Sequence, residues 1–345
     1  MAKISVLGAG TWGSALTIML AKEGHDLTLW SAIPEELEEM DRTKRHKNLP
    51  GAILPDSVKT QPDLKKAAEK KDLLIFAVPS IYIRQTARKL SPILMAMNPA
   101  PLIVCVAKGI EKGTNEILTQ VIQEELEGED KRRGPYSYIA VSGPTHAEEV
   151  SIGLPSCLVA ASPDLEKAKI VQRIFMNDRM RVYTNPDILG VELCGALKNI
   201  IALASGMSDG SGFGDNARAA LITRGAAEMT RLGQAMGGQP ETFAGLAGIG
   251  DLIVTATSLH SRNYRCGYYL GQGKTLEEAL KEVGQVVEGL NALPAALALK
   301  EKYGVQMPIV EGVEAVVHRA VPVAEAVLSL MNRDPKSEIH SSETL

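Results

Sequence analysis

Ile4-Ser-Val-Leu7-Gly8-Ala-Gly10-Thr11-Trp12-Gly13 decides how this chain folds. A short run suited to a buried strand passes directly into a Gly-x-Gly-x-x-Gly loop, and a helical pattern opens inside that loop. In such a turn Gly8 permits the tight bend, Gly10 lets the backbone approach a pyrophosphate, and Gly13 lets helix and strand pack closely. The helix N-terminus offers free N–H groups and partial positive charge to the phosphates. The same spacing also serves as a plain structural turn. Here the strand before it, the helix after it and the βαβ series that follows select the dinucleotide reading. Gly8, Gly10, Thr11, Trp12 and Gly13 are therefore the first cofactor-binding candidates.

Outward from the loop, short apolar runs predict strands at 4–7, 27–30, 73–78, 102–106, 138–141 and 157–160. Helix-period segments lie between them at 12–23, 34–46, 80–96 and 115–127. This alternation argues for parallel strands joined by right-handed crossovers, with both faces covered. Composition changes near Asn185-Pro186. Beyond it the chain is rich in Ala, Leu and Gly at helical spacing, with helices expected at 187–206, 216–236, 275–282, 290–303, 309–318 and 322–331. The expected organisation is a Rossmann-type, doubly wound parallel α/β domain over 1–185 and an all-α domain over 186–331. A polar, frayed tail should occupy 332–345.

The 345 residues, 45% hydrophobic and 23% charged, suit a globular protein of about two domains and exclude disorder over most of the chain. Aromatics are only 4%, so the core is aliphatic. A net charge of −4 gives no basic excess for nucleic acid or an anionic membrane. Cys105, Cys157, Cys194 and Cys266 form no metal-ligand pair and read as buried reduced thiols in a cytosolic protein. No metal is expected. The N-terminus enters a strand at once, against a signal peptide, and apolar runs such as 73–78 are far shorter than the ~20 residues of a membrane span.

The cofactor's adenosine side is read at the end of the second strand, where an acid favours NAD by holding the ribose hydroxyls. Asp26 lies at the wrong end of that strand and Ser31 takes the usual place. Glu35 and Glu36 read as first-turn helix acids. Lys44, Arg45 and Lys47 read as a solvated charge run, or as partners for a 2′-phosphate. With no acid at Ser31, the reading leans towards tolerance of NADP.

Ligands of an open parallel sheet gather at the carboxyl ends of its strands. Three further ends carry telling residues: Phe76-Ala-Val-Pro-Ser80, Val106-Ala-Lys108-Gly-Ile110 and Ser142-Gly-Pro-Thr-His-Ala147. In the second half, Lys198 lies inside a mostly apolar helix beside Asn199. A lysine there either snorkels to water or serves as an acid/base group. In the arrangement implied by the family resemblance given below, burial and the second cation, Lys108, would lower its pKa, and Asp251 would oppose that shift while holding the ammonium. Asp251 also reads as the N-cap of a helix over 252–257, with Thr255 as a polar partner. Ser261-Arg262-Asn263 reads as an ordinary cap with an exposed arginine, or as a phosphate grip. His146 and His260 are tempting bases that nothing places better than Lys198.

These stretches, with Val191-Glu-Leu-Cys-Gly-Ala-Leu-Lys-Asn-Ile200, Asp215-Asn-Ala-Arg-Ala-Ala-Leu-Ile-Thr-Arg224 and Gly248-Ile-Gly-Asp-Leu252, resemble bacterial NAD(P)-dependent sn-glycerol-3-phosphate dehydrogenases. The resemblance runs in order over roughly 1–330. It implies a 6-phosphogluconate-dehydrogenase-like fold and reversible reduction of dihydroxyacetone phosphate, whose product feeds glycerophospholipid synthesis. It makes Lys198 the general acid/base, with Asn199, Asp251 and Lys108 in the catalytic group. Substrate contacts fall to Lys108, Gly143, Thr145, Lys198 and Asp251, and the substrate phosphate to Ser261, Arg262 and Asn263. Cofactor contacts fall to the glycine loop, Ser31, Lys108, Ala147, Arg262, Val286 and Glu288. A cytoplasmic homodimer is implied. The chain departs from the family at Ser31-Ala-Ile33, where an arginine or other polar side chain often follows the tryptophan. Two other readings are a 6-phosphogluconate-type dehydrogenase and a non-catalytic redox-sensing dinucleotide module; the latter would need no Lys198.

Overall fold

The computed structural model describes residues 1–95, 97–128, 136–335 and 337–338. Strands β1 (Lys3–Leu7), β2 (Asp26–Trp30), β3 (Lys59–Thr60), β4 (Leu73–Phe76), β5 (Leu102–Cys105), β6 (Tyr138–Ser142), β7 (Ser156–Ala161) and β8 (Met180–Asn185) form one sheet in the order β3-β2-β1-β4-β5-β6-β7-β8. Alternate strand residues enter two cores, one on each face. Val6, Ile75 and Val104 lie on one side, and Leu7, Phe76 and Ile103 on the other. The apolar runs are nearly continuous because both faces are buried.

Helices α1 (Thr11–Lys22), α2 (Pro34–Thr43), α3 (Leu64–Ala68), α4 (Ile83–Leu94), α5 (Leu118–Glu127), α6 (Ala147–Ser151) and α7 (Leu165–Phe175) connect the strands. The expectation of a wholly parallel sheet needs one correction. β6 and β7 pair antiparallel, with Ser142 opposite Val159. The five-residue α6 is too short to run back along the sheet and packs on α1, and β7 returns in the opposite direction. β3 and β8 were also unexpected. β3 is two residues long, and β8 alternates buried Met180 and Val182 with exposed Arg181 and Tyr183.

Beyond Asn185 the described chain is helical: α8 (Ile188–Gly210), α9 (Gly214–Ala235), α10 (Pro240–Ala244), α11 (Asp251–Ala256), α12 (Arg262–Gly271), α13 (Leu276–Val283), α14 (Glu288–Tyr303), α15 (Pro308–Arg319) and α16 (Val323–Met331). A π-turn at Leu246–Gly250 leads into α11. Asp187 caps α8 at Gly190, and the helix is buried without a break from Gly190 to Ser208. It is long and apolar enough to cross a membrane by composition, yet 89% of that window is buried inside the protein, where it forms the axis of a helical core.

Two acids inside this packing cap neighbouring helices that lack caps of their own. Glu192 on α8 accepts the backbone N–H of Thr119 at 3.1 Å, and that residue's hydroxyl, at the start of α5. Glu228 on α9 accepts the N–H groups of Ile309 and Val310 at the start of α15. Burial pushes both carboxyls up to about 7. Of the expected polar tail, 336 and 339–345 lie outside the described residues.

Candidate active site

The glycine loop stands at the carboxyl edge of the sheet, and its three glycines meet three different surroundings. Gly8 has φ +126°, and a side chain on it would strike the backbone of Ala77 at 2.7 Å. A Cβ on Gly13 would lie 1.9 Å from the carbonyl oxygen of Gly8. Gly10 has nothing within 4 Å of its Cβ direction, and no side chain caps the start of α1 behind it. Gly10, Thr11 and Trp12 border a cleft of about 470 Å³.

The other walls of the cleft come from the expected strand ends and from the helical part. Ala77, Val78, Pro79, Lys108, Thr145 and Ala147 line one side. Lys198, Asn199, Thr255, Ser261, Arg262, Asn263, Arg265, Val286 and Glu288 line the other. Residues scattered over most of the chain thus share one cavity. Ser31, Gly143 and Asp251 are not among its walls.

Asp251 sits beneath the cleft, 1% exposed, as the first residue of α11. Its carboxylate does not cap that helix, which corrects the expected cap. Oδ1 accepts from Lys198 Nζ at 2.6 Å and Oδ2 from Lys108 Nζ at 2.5 Å. Lys198 also donates to Thr255 Oγ1 at 2.6 Å, whose hydroxyl donates to the carbonyl of Asp251. Lys108 donates further to the carbonyl of Gly143 at 3.2 Å. One carboxylate therefore joins β5's end, the centre of α8 and the start of α11. Burial lowers the Lys198 ammonium to about 7, with Lys108 adding to that shift and Asp251 opposing it. Burial works to raise the Asp251 carboxyl, but the two ammonium groups overcome it and hold it below the usual range.

The Ser261–Asn263 triplet divides into three different roles. Ser261 Oγ accepts the N–H of Tyr264 and caps α12. Asn263 donates to Asn199 Oδ1 at 2.9 Å and accepts the N–H of Gly289 at 2.8 Å, tying α12 to α8 and α14. Asn199 in turn donates to the carbonyl of Gly195. The Arg262 guanidinium is half-buried at the cleft wall and has no hydrogen-bond partner among the described residues. Arg265, three residues on, also faces the cleft, and its Nε is buried without a partner. No sequence expectation singled out Arg265; its i,i+3 spacing from Arg262 was the available signal.

Other candidates have prior partners. Glu288 accepts from Ser80 N at 3.0 Å and Ser80 Oγ at 2.5 Å, linking α14 to the end of β4. His146 Nε2 lies 3.2 Å from the carbonyl of Val254, its ring 5.5 Å from that of His260. Lys44 stands 3.8 Å from both Asp41 and Asp56, as a solvated charge run would. Ser31 is 5% exposed, and its hydroxyl donates to Glu36 Oε2 at 3.2 Å. The end of β2 is therefore not acid-free: Glu36 reaches it from the first turn of α2.

Family models for the N-terminus and C-terminus of NAD-dependent glycerol-3-phosphate dehydrogenase match residues 3–168 and 187–328. The chain belongs to the NAD-dependent glycerol-3-phosphate dehydrogenase family. It is 56% identical over 339 residues to glycerol-3-phosphate dehydrogenase [NAD(P)+] 2 of Lactobacillus delbrueckii subsp. bulgaricus, covering 98% of this chain and 99% of that one. It is 50% identical to the glycerol-3-phosphate dehydrogenase [NAD(P)+] of Fusobacterium nucleatum over 99% of this chain and all of the other. Among solved structures, the glycerol-3-phosphate dehydrogenase of Coxiella burnetii superposes with a TM-score of 0.90 at 38% identity, covering 96% of this chain and 99% of that one.

The glycerol-3-phosphate dehydrogenase family implies a nicotinamide dinucleotide, and the residues here fit one. Space stands open at Gly10, uncapped N–H groups begin α1, and Trp12 Nε1 is buried at the cleft without a partner. Among the described residues, no group of three or more His, Cys, Asp or Glu is arranged to hold a metal ion.

Proposed function

We propose that this chain catalyses the reversible, NAD(P)H-dependent reduction of dihydroxyacetone phosphate to sn-glycerol 3-phosphate, with Lys198 as general acid and, in reverse, general base. The carrying observation is the Lys198–Asp251–Lys108 cluster, whose two lysines line the cleft that the glycine loop also borders and whose carboxylate is buried beneath it. A nicotinamide held by that loop would supply the hydride. Lys198 delivers a proton to the substrate oxygen as charge develops there, and its lowered pKa suits transfer in both directions near neutrality. Asp251 and Thr255 aim the ammonium, and Lys108 from the opposite wall adds positive charge beside the developing oxyanion.

The unpaired Arg262 supports a site for the substrate phosphate, with Arg265 beside it. Ser261, Asn263 and Asn199 hold α12 in place while presenting their own edges to the cleft. Thr145 and the Gly143 loop contact the substrate; Ala147, Val286 and Glu288 flank the cofactor. The working unit combines a dinucleotide domain over 1–185 and a helical domain over 186–331, acts as a cytoplasmic homodimer and supplies glycerophospholipid synthesis.

The test is absorbance at the reduced-nicotinamide band, with dihydroxyacetone phosphate and then phosphate-free dihydroxyacetone. Oxidation with the phosphorylated triose and little with the free triose supports the reading. No oxidation with dihydroxyacetone phosphate, despite bound NADH, would make this a sensing module instead of a reductase.

A further inference from the structure

We infer that Glu36 acts as the acid of the adenosine subsite and makes this chain bind NADH more tightly than NADPH. The inference rests on the dinucleotide reading of the glycine loop. It starts from the end of β2, which is fixed beside that loop: Leu7 pairs with Trp30, and the N–H of Gly8 donates to the carbonyl of Trp30 at 2.9 Å. The next residue, Ser31, is buried and accepts the N–H of Ile33 at 3.1 Å, while donating to Glu36 Oε2 at 3.2 Å. The serine thus draws a carboxylate from α2 to the strand end where the ribose of a dinucleotide is read.

A carboxylate there accepts hydrogen bonds from ribose hydroxyls and repels a 2′-phosphate. Compensating cations are poorly placed. Ala32 and Ile33, which complete the turn, are exposed and carry no charge. Lys44 is drawn towards Asp41 and Asp56. Burial lowers the pKa of the nearby His46 imidazole, which disfavours its cationic form, while Glu36 opposes that shift. Lys47 and Arg45 remain as the competing cations, and the experiment decides between them and Glu36. Both cofactors bind, with NADH the tighter.

Isothermal titration calorimetry of the whole chain with NADH and NADPH, at one fixed low ionic strength, reads this without turnover. The wild type should bind NADH about tenfold or more tightly than NADPH. Glu36→Gln, which keeps the hydrogen-bonding shape and removes the charge, should erase most of that ratio, chiefly by tightening NADPH. Equal wild-type affinities, or an E36Q ratio unchanged from wild type, overturn the assignment. Preserved NADPH binding in E36Q that collapses in Lys47→Met, with the wild-type ratio near one, would assign the choice to the basic run. If neither dinucleotide binds the wild type, the reading of the glycine loop falls first, and this inference with it.

Discussion

Within the Ser261–Asn263 triplet only Arg262 keeps its donors free among the described residues: Ser261 and Asn263 spend their side chains on Tyr264, Asn199 and Gly289. All three residues were legible as candidates because their types suit a phosphate. Which of them has its donors free was not legible, since their partners lie up to 64 positions away in sequence. Removing Arg262 takes a charge-assisted donor from a half-enclosed site. Arg262→Ala should weaken binding of dihydroxyacetone phosphate by about 2–5 kcal/mol. Steady-state KM and equilibrium binding of the phosphorylated and phosphate-free trioses check this. The free triose should change much less, and an equal loss for both would mark Arg262 as structural.

At the scale of elements, α12 reaches the site because its backbone lies almost on that of α8. A Cβ on Gly206 would be 2.0 Å from the carbonyl of Tyr264, and one on Gly267 would be 2.1 Å from that of Leu203. Backbone cannot yield as a flexible side chain does, so Gly267→Ala must push the helices apart. It should cost about 1–3 kcal/mol or more, read as a lower urea midpoint, with phosphate-substrate affinity reduced as Arg262 moves away. An unchanged midpoint would mean that the helices have room to shift. Periodicity made α1 and α8 legible, because each carries a long apolar stretch. It missed α7, and it missed β8, which alternates instead of running apolar. It also gave no warning that β7 reverses, because direction depends on where α6 packs, which no local pattern records.

At the scale of the molecule, the site exists only where the sheet's edge meets the helical core. Glu288 holds Ser80, Glu192 holds Thr119, and Asp251 holds lysines from both sides. Each half has a separable task. Gly10→Val places a side chain where the pyrophosphate approaches, on a Cβ position with no protein atom within 4 Å. It should leave the thermal unfolding midpoint nearly unchanged and abolish NADH binding in calorimetry; undiminished affinity would remove the loop from the cofactor site. With Lys198 as the proposed general acid, the helical half should set the pH dependence. With Lys198 held at about 7, ketone reduction needs the ammonium and should decline as pH rises through that value. Alcohol oxidation needs the free amine and should increase over the same interval. Lys108→Met removes the cation that helps lower Lys198 and should move both limbs to higher pH.

The most direct measurement is turnover of Lys198→Met beside Lys108→Met, each with saturating cofactor. Methionine keeps the apolar stem and removes the proton, so Lys198→Met should fold and bind NADH normally while turnover falls about 10²–10⁴-fold. Lys198→Met that retains most of its turnover, beside an inactive Lys108→Met, would contradict the account and move the proton donor to the sheet side of the cleft.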